Sequence, residues 1–489
     1  MATEYLISEI KEMAAEHGVD LLDIRALSEV DNDGLLLIDG YPLEKMRDNF
    51  SWVISMGIKI PAYPTGHHAL QDNENYLKAA LKVRLSIAAY DIAAKLDKFG
   101  YEAMQDWMSI GNIVFADSDD LDLSDTEYQF SSDEKRPLPL KERYKAAADT
   151  TAGVQRESQS MTAGAQNHQT GRNTHDAFIS CSVICEAPLR SMNVKLETQQ
   201  SAEQFLGSIP ELVRVQHLGV VPVEKCSGLD DMIDFDKTLP GARNVVALLA
   251  EIPPYLSNLA GKQEAECATS YSYLQYETLR ELIWAANDLS HALQAEGNRA
   301  LVITDPTLTS TRTLAPYWEF SWSKLGHPDP RAGAPLAAAA GLGEIGNSGM
   351  LLAPEIGPNH KVVYVVTDAD LTETQAYQGE KLCIDCGKCA ATCPAKALCE
   401  KNASGIYKRN EAACEWTRSL GMNSAAGSGL IGWQTPDAEA PENIDVDTAI
   451  QAFKSKDPLQ VQGYLYPCQI DTVAEACIIN CPAGQLSRS

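Results

Sequence analysis

The sequence predicts an α/β (α+β) chain made of two tandem modules of one design followed by a cysteine-bearing tail. Three observations carry that prediction. An order of helix, strand and long helix occurs twice, a tight glycine series stands in the second occurrence alone, and eight of the thirteen cysteines fall in a metal-ligand spacing between Cys383 and Cys481.

The first module opens with "EYLISEIKEMAAEHGVDLLDI", whose apolar residues recur at helical spacing up to a stop at Gly18. An apolar strand, "FSWVISMGIKIP", follows, and then "NYLKAALKVRLSIAAYDIAAKLDKFGYEAM", a long helix ending at Gly100. The second module repeats the order in "SAEQFLGSIPELVRVQHLGVVPV", "ARNVVALLAEIPPY" and "QYETLRELIWAANDLSHALQAEGNRALVIT", with its helix stopping at Gly297. The closing strand recurs too, as "TGRNTHDAFISCSVICEAPL" and "GNSGMLLAPEIGPNHKVVYVVTDADL". The copies are unequal. The first is interrupted by an acidic stretch from Asp117 to Asp125 and a Ser/Gln/Asn/Gly-rich passage from Thr150 to Asn173, both read as loop. The expected domains are 1–195, a degenerate module; 196–375, a ligand-binding module; and 376–489, the metal-binding tail.

At 489 residues, 45% hydrophobic and 22% charged, the composition is that of a globular protein with room for two or three cores. A formal charge of -27 repels polyanions, so nucleic acid and anionic membrane are disfavoured as partners. No run of about 18 apolar residues occurs, which predicts no membrane span. The N-terminus shows no basic region, apolar run or twin arginine, which predicts a cytoplasmic protein. In that compartment thiols stay reduced, so the clustered cysteines read as metal ligands.

The stretch "KLCIDCGKCAATCPAKAL" has the spacing C-x2-C-x2-C-x3-C-P. In two-cluster bacterial ferredoxins the first three cysteines of such a run hold one 4Fe-4S cluster, and the one before proline reaches the other. Cys383, Cys386 and Cys389 therefore share a cluster, and Cys393 belongs to a second. Downstream, "YPCQIDTVAEACIINCPAG" supplies Cys468, Cys477 and Cys481, the last again before a proline. By the mirror logic Cys481 completes the first cluster. Cys393, Cys468 and Cys477 need one more ligand, with Cys414 the better placed candidate and Cys399 the other. Zinc is disfavoured, because its sites pair C-x2-C units or add histidine, and no histidine follows His360. Cys181, Cys185, Cys226 and Cys267 read as small buried hydrophobes.

Just upstream, "AGLGEIGNSGMLLAPEIGP" sets Gly341, Gly343, Gly346 and Gly349 within nine residues, ahead of Pro354, Gly357 and Pro358. Such spacing lets backbone approach a flat or phosphate-bearing ligand, although it is neither G-x-G-x-x-G nor a P-loop.

That glycine series, followed by "CIDCGKCAATCP" and a distal C-x3-C-P, resembles the corrinoid iron-sulfur reductases, a family comprising reductive dehalogenases and epoxyqueuosine reductases. The resemblance runs from about Ala202 to Pro482. It implies a nitroreductase-like module that cradles base-off cobalamin, with Gly341, Leu342, Gly343, Gly346, Asn347, Ser348, Gly349, Pro354 and Gly357 as cofactor-binding residues. It also implies two 4Fe-4S clusters in a ferredoxin-like domain. The tandem arrangement with a vestigial first copy resembles the cytoplasmic, catabolic reductive dehalogenases. The proton donor of the family is a tyrosine at the start of the long helix; Tyr271, Tyr273 and Tyr276 stand there, and Tyr276 is favoured by its distance to Gly297. Lys324 could lower such a tyrosine's pKa, and His327 has similar standing. One departure stands out: this chain has Asn347 where dehalogenases carry a basic residue.

The implied activity is reductive dehalogenation of a small organohalide, with electrons from a ferredoxin or flavodoxin-like donor. The chain could also form a homodimer. Epoxyqueuosine-type deoxygenation, cleavage of another carbon-heteroatom bond and plain 4Fe-4S electron transfer are the alternatives.

Overall fold

The computed structural model describes residues 2–29, 50–61, 63, 68–105, 177–196, 201–202, 204, 206, 215–226, 229, 233–254, 265–306, 331, 333–393, 395–419, 441–445, 447–448 and 476–484; within these, 2, 68–72, 75–76, 79, 177, 265–276, 415, 417–419 and 476 are described in their backbone only. Contacts divide the chain into two units, one of residues 1–62 with 75–200, the other of 63–74 with 201–489. This division keeps 376–489 with the second module rather than apart from it, and it moves 63–74 out of the first.

The first unit begins with α1 (Ala2–Glu16) and holds β1 (Leu21–Ala26), β2 (Trp52–Ile60), most of α2 (His68–Lys98), β3 (Ala103–Gln105), β4 (Ala177–Cys185) and β5 (Met192–Lys195). Its sheet runs β3-β4-β2-β1-β5 with every pairing antiparallel. Leu77, Leu81, Leu85, Ala89, Ile92 and Leu96 form a buried stripe on α2, the helical spacing that the sequence shows.

The second unit holds β6 (Val215–Pro222), β7 (Asn244–Glu251), α3 (Ala265–Ala295), β8 (Ala300–Ile303) and β11 (His360–Thr367). Between the last two come α4 (Ala334–Ala339), β9 (Glu344–Ile345) and β10 (Leu351–Leu352). Its main sheet runs β6-β7-β11-β8, again fully antiparallel. β7 is the apolar centre: Val245, Val246, Leu248 and Leu249 are wholly buried, each contributing about 1.5–3 kcal/mol of transfer free energy. The two faces are covered differently. α3 packs on β7, β8 and β11, presenting Leu282, Ala286, Leu289 and Leu293. On the other face Val245, Ala247, Leu249, Tyr364 and Val366 pack with Leu336, Leu342, Leu351 and Ile356, so the glycine series is clamped onto the sheet. Tyr364 fixes the entry to it by donating from its buried hydroxyl to the Gly333 carbonyl at 2.8 Å.

The strand orders correspond. β1, β2, β3 and β4 stand to one another as β6, β7, β8 and β11 do, and each sheet has a 31-residue helix after its second strand. α1, α2 and α3 also end alike. Gly18, Gly100 and Gly297 follow them at φ 67, 84 and 89, and the residue after each donates back to the carbonyl five residues earlier. Only glycine enters that left-handed region freely, which is why those residues mark the stops.

Residues 63–74 are tied into the second unit by polar groups. The Tyr63 hydroxyl donates to Val302 O at 2.5 Å. Asn73, 1% exposed, accepts from the backbone N–H groups of Thr304 and Asp305 and from the Thr304 hydroxyl, and donates to Asp305 O at 3.0 Å. Four bonds on one buried amide use its donor and acceptor together, the condition for burying it at little cost.

Candidate metal centre

The cluster loop starts from the β9–β10 hairpin. Glu344 on β9 accepts from the N–H groups of Leu382 and Cys383 at 2.9 and 2.7 Å, which anchors the loop's first turn. Asp385 and Gly387 then take positive φ, 54 and 69. Two such residues in three fold the chain back on itself, so that Cys383, Cys386 and the start of α5 (Lys388–Ala391) face one recess. The strained Asp385 is held through its carboxylate by the Asn347 amide and the Lys401 ammonium, and the bond to Lys401 keeps that carboxyl below the usual range.

Cys481 joins them from 476–484, whose helix α7 spans Ala476–Ile479. The recess is lined by Cys383, Cys386, Cys389 and Cys481 together with Gly346, Asn347 and Ser348. What brings Cys481 in is a close approach of two backbones. A Cβ on Gly357 would lie 2.1 Å from Ala483 O, and one on Gly484 2.3 Å from Ile356 O. Only a pair of glycines lets these segments meet, and φ 68 and 81 suit them too.

The electrostatics fit a polynuclear metal group. Burial pushes the Cys481 thiol up to about 11, and the neighbouring thiols of Cys389, Cys383 and Cys386 add to the shift. Burial first and then Cys383 and Cys386 raise Cys389 as well. A cationic metal core would invert that logic for Cys389 and Cys481 and stabilise them as thiolates. Among the described residues no three His, Cys, Asp or Glu side chains close around a single ion. The Asn347 N–H points at Cys383 Sγ at 3.4 Å, and such bonds to sulfur are one of the controls on cluster potential. The residues present therefore fit a 4Fe-4S cluster.

Of the second expected set, Cys393 and Cys414 lie against one apolar cluster with Trp416, Ala413 and Ile444. α6 (Glu411–Ser419) carries Cys414 there, and the Ala397 N–H donates to Cys393 Sγ at 3.2 Å. Cys477 is buried against Met350 and Leu398, next to the first set's Cys389. Cys399 is exposed, and its thiol donates to the carbonyls of Lys396 and Ala397. Cys468 lies outside the described residues.

The glycine series behaves differently from a simple ligand cradle. Gly341 and Gly343 approach backbone, at 2.4 Å from Gln375 O and 2.0 Å from Leu352 O for an added Cβ, and Leu342 is buried core. Gly346, Asn347 and Ser348 line the cysteine recess, while Gly349 faces Arg331. Pro354 sits in the turn that Gly357 closes through the Ala353–Gly357 bridge. These residues thus have structural reasons of their own, and the described side chains do not by themselves outline a corrinoid site. Tyr271, Tyr273 and Tyr276 are on α3 in the backbone-only stretch, and Lys324 and His327 are outside the described residues. Cys181, Cys185 and Cys226 are buried; burial raises the Cys185 and Cys226 thiols to about 11 and about 12.

Sequence reasoning missed Glu344, Arg331 and the Gly357–Gly484 contact. Arg331 donates to Ser348 O at 3.1 Å and to Cys477 Sγ at 3.4 Å, linking the glycine loop to the distal cysteines. Only the position of Glu344 between two glycines of the series hinted at a role for it.

No family model matches the chain. Over 72 residues it is 38% identical to tetrachloroethene reductive dehalogenases of Desulfitobacterium hafniense and Dehalobacter restrictus, a stretch that is 14% of this chain and 13% of theirs. Among solved structures it is similar to an epoxyqueuosine reductase from Streptococcus thermophilus (13% identity, TM-score 0.31, 55% of this chain and 78% of that one). It is also similar to a catabolic reductive dehalogenase (12% identity, TM-score 0.32, 96% and 79%). A third likeness is to an epoxyqueuosine reductase solved with an epoxyqueuosine-modified tRNA stem loop (17% identity, TM-score 0.29, 55% and 68%). The chain resembles reductive dehalogenases and epoxyqueuosine reductases. No described helix is long and apolar enough to cross a membrane.

Proposed function

We propose that this chain is an iron-sulfur reductase dependent on a corrinoid, which replaces the halogen of a small organohalide by hydrogen. The observation that carries the reading is the convergence of Cys383, Cys386, Cys389 and Cys481 on one recess floored by the glycine loop. Those four hold the first 4Fe-4S cluster, and Cys393, Cys414, Cys468 and Cys477 the second, in a ferredoxin-like tail. The two units are copies of one module, a view supported by their matching strand orders. The first copy is degenerate.

The net reaction takes two electrons and one proton and releases halide. A bound corrinoid would supply the strongly reducing, nucleophilic metal chemistry that carbon-halogen cleavage needs. The protein's own part is electron delivery and proton supply. Glu344 and Asn347 hold the first cluster's loop against the module, and Tyr276 is assigned as general acid, with Lys324 or His327 the candidate to lower its pKa. Electrons come from a ferredoxin or flavodoxin-like donor in the cytoplasm. The charge of -27 supports a small substrate rather than tRNA. One observation favours a different carbon-heteroatom bond: Asn347 replaces the family's basic residue, and its amide is engaged by Asp385.

The test is anaerobic reconstitution followed by counting iron, sulfide and cobalt per chain. About eight iron and one cobalt are expected from two four-iron clusters and one corrinoid. Eight iron with no cobalt would leave an electron-transfer protein and sink the corrinoid reading.

A further inference from the structure

We infer that the surface around Ile384, over the first cysteine set, is the docking face for the electron donor, and that the partner it fits is a small acidic protein carrying a one-electron centre. The inference rests on the reading of Cys383, Cys386, Cys389 and Cys481 as ligands of one 4Fe-4S cluster.

Ile384 stands directly after the ligand Cys383, lines the recess and is 57% exposed. Among the described residues of the second unit it is the one large hydrophobic side chain left so far in water. The loop does not need it for its shape. Asp385 and Gly387 make the turn at positive φ, and Glu344 anchors the strand of chain before it through the Leu382 and Cys383 amides. Cys386, two residues on, is exposed as well. A ligand sulfur and an isoleucine therefore share one stretch of surface, and a protein that covers the second comes close to the first. Transient redox encounters are small, with an apolar centre and a polar rim.

Charge says which partner fits. The whole chain carries 67 acidic against 40 basic residues. From Glu380 to Glu411 the balance reverses: Lys381, Lys388, Lys396, Lys401, Lys408 and Arg409 stand against Glu380, Asp385, Glu400 and Glu411. Two of those acids are paired in place, Asp385 with Lys401 and, more weakly, Lys381, and Glu411 with Arg409 at 2.6 Å. Glu344 faces the same loop and is taken up by its two backbone N–H groups. Lys381 and Lys388 are exposed on either side of Ile384. An acidic carrier is repelled by the rest of the molecule and admitted here, which steers it to the cysteines. RNA would use the same lysines but gains nothing from an exposed isoleucine among them.

The experiment uses the full chain reconstituted with iron and sulfide, its iron counted first, and an oxidised acidic plant-type ferredoxin as probe. Binding is measured by calorimetry at low and high salt for wild type, Lys388→Glu, Ile384→Ser and Lys237→Glu, the last reversing an exposed lysine outside the 380–411 stretch. Lys388→Glu is expected to weaken binding about tenfold at low salt and much less at high salt, since a rim charge acts through a screened field. Ile384→Ser should weaken it about fivefold at both, the mark of a lost apolar anchor. Lys237→Glu should stay within about twofold of wild type. No binding by wild type at low salt, no loss in either loop variant, or an equal loss in Lys237→Glu overturns the inference. So does a loss of tRNA stem-loop binding in Lys388→Glu with ferredoxin binding unchanged, which would make the face an RNA site. If Lys388→Glu fails to hold iron, Lys388→Gln decides, by a smaller loss in the same salt-dependent sense or by none. The two readings fail separately. A wild type that takes up no iron removes the cluster, whereas an iron-loaded wild type whose ferredoxin binding ignores Ile384 and Lys388 removes the docking face alone.

Discussion

The two sheets share an order and differ at an edge. In the first unit the outer side of β1 is closed by a further strand, β5, from Leu21↔Lys195 to Ile24↔Met192. In the second unit β6 holds the corresponding place, and what meets it is the chain on its way to the cluster loop. Val220 and Thr374 exchange bonds at 2.9 Å, and Gly219 lies under the Ala340 carbonyl at the end of α4. In the second unit the connection before the last strand carries α4 and the β9–β10 hairpin, whose Glu344 grips Leu382 and Cys383. One sheet plan thus carries a further strand at this edge in one unit and the chain leading to the cysteine-bearing segment in the other.

The comparison breaks hardest at Cys481. Cys481→Ser removes the ligand that only the second unit's platform brings in, and should halve the iron content, from about eight to about four, while leaving the second set filled. Iron analysis together with EPR checks this; full iron in the variant would reassign the fourth ligand.

Next in size is a pH effect confined to the second sheet. His360 begins β11 where Ala177 begins β4, each opposite the last residue of its neighbour, Glu251 and Ile60. Burial lowers His360 to about 4, Lys361 and His217 push it the same way, and its Nε2 meets Leu351 O at 3.1 Å. A base depressed in the folded state binds fewer protons there than unfolded between its two pKa values. Stability is therefore complete above about 6.5 and is lost as pH falls from there towards 4, by about 3 kcal/mol at most. His360→Gln should flatten that part of the stability-pH curve, measured by denaturant unfolding at a series of pH values. An unaltered slope would place the acid sensitivity elsewhere.

Smallest is the edge itself. A Cβ on Gly219 would lie 2.0 Å from Ala340 O, so Gly219→Ala should cost about 2 kcal/mol by overpacking and loosen the cover on β6. A thermal shift of the second unit's transition would report it, and an unchanged midpoint would show that α4 gives way easily.

Much of this was legible in the chain. Helix stops at Gly18, Gly100 and Gly297, the apolar run of β7 and the cysteine spacing are local signals, and Cys383, Cys386, Cys389 and Cys481 line one recess. The placement of β11 between β7 and β8 is a long-range pairing with no local mark, and so is the attachment of 63–74 to the second unit through Asn73. The glycine series was read as room for a ligand, yet Gly341, Gly343 and Gly357 yield their Cβ space to other backbone. Glycine spacing shows that something comes close, and a neighbouring strand satisfies it as well as a cofactor does. Glu344 and Arg331 were hidden because a single charged residue among glycines carries no periodicity.

The meeting of Gly357 with Gly484 also bears on the order of biogenesis. Cys383, Cys386 and Cys389 leave the ribosome well before Cys481 is made, and the fourth corner can be closed only when the two glycines dock.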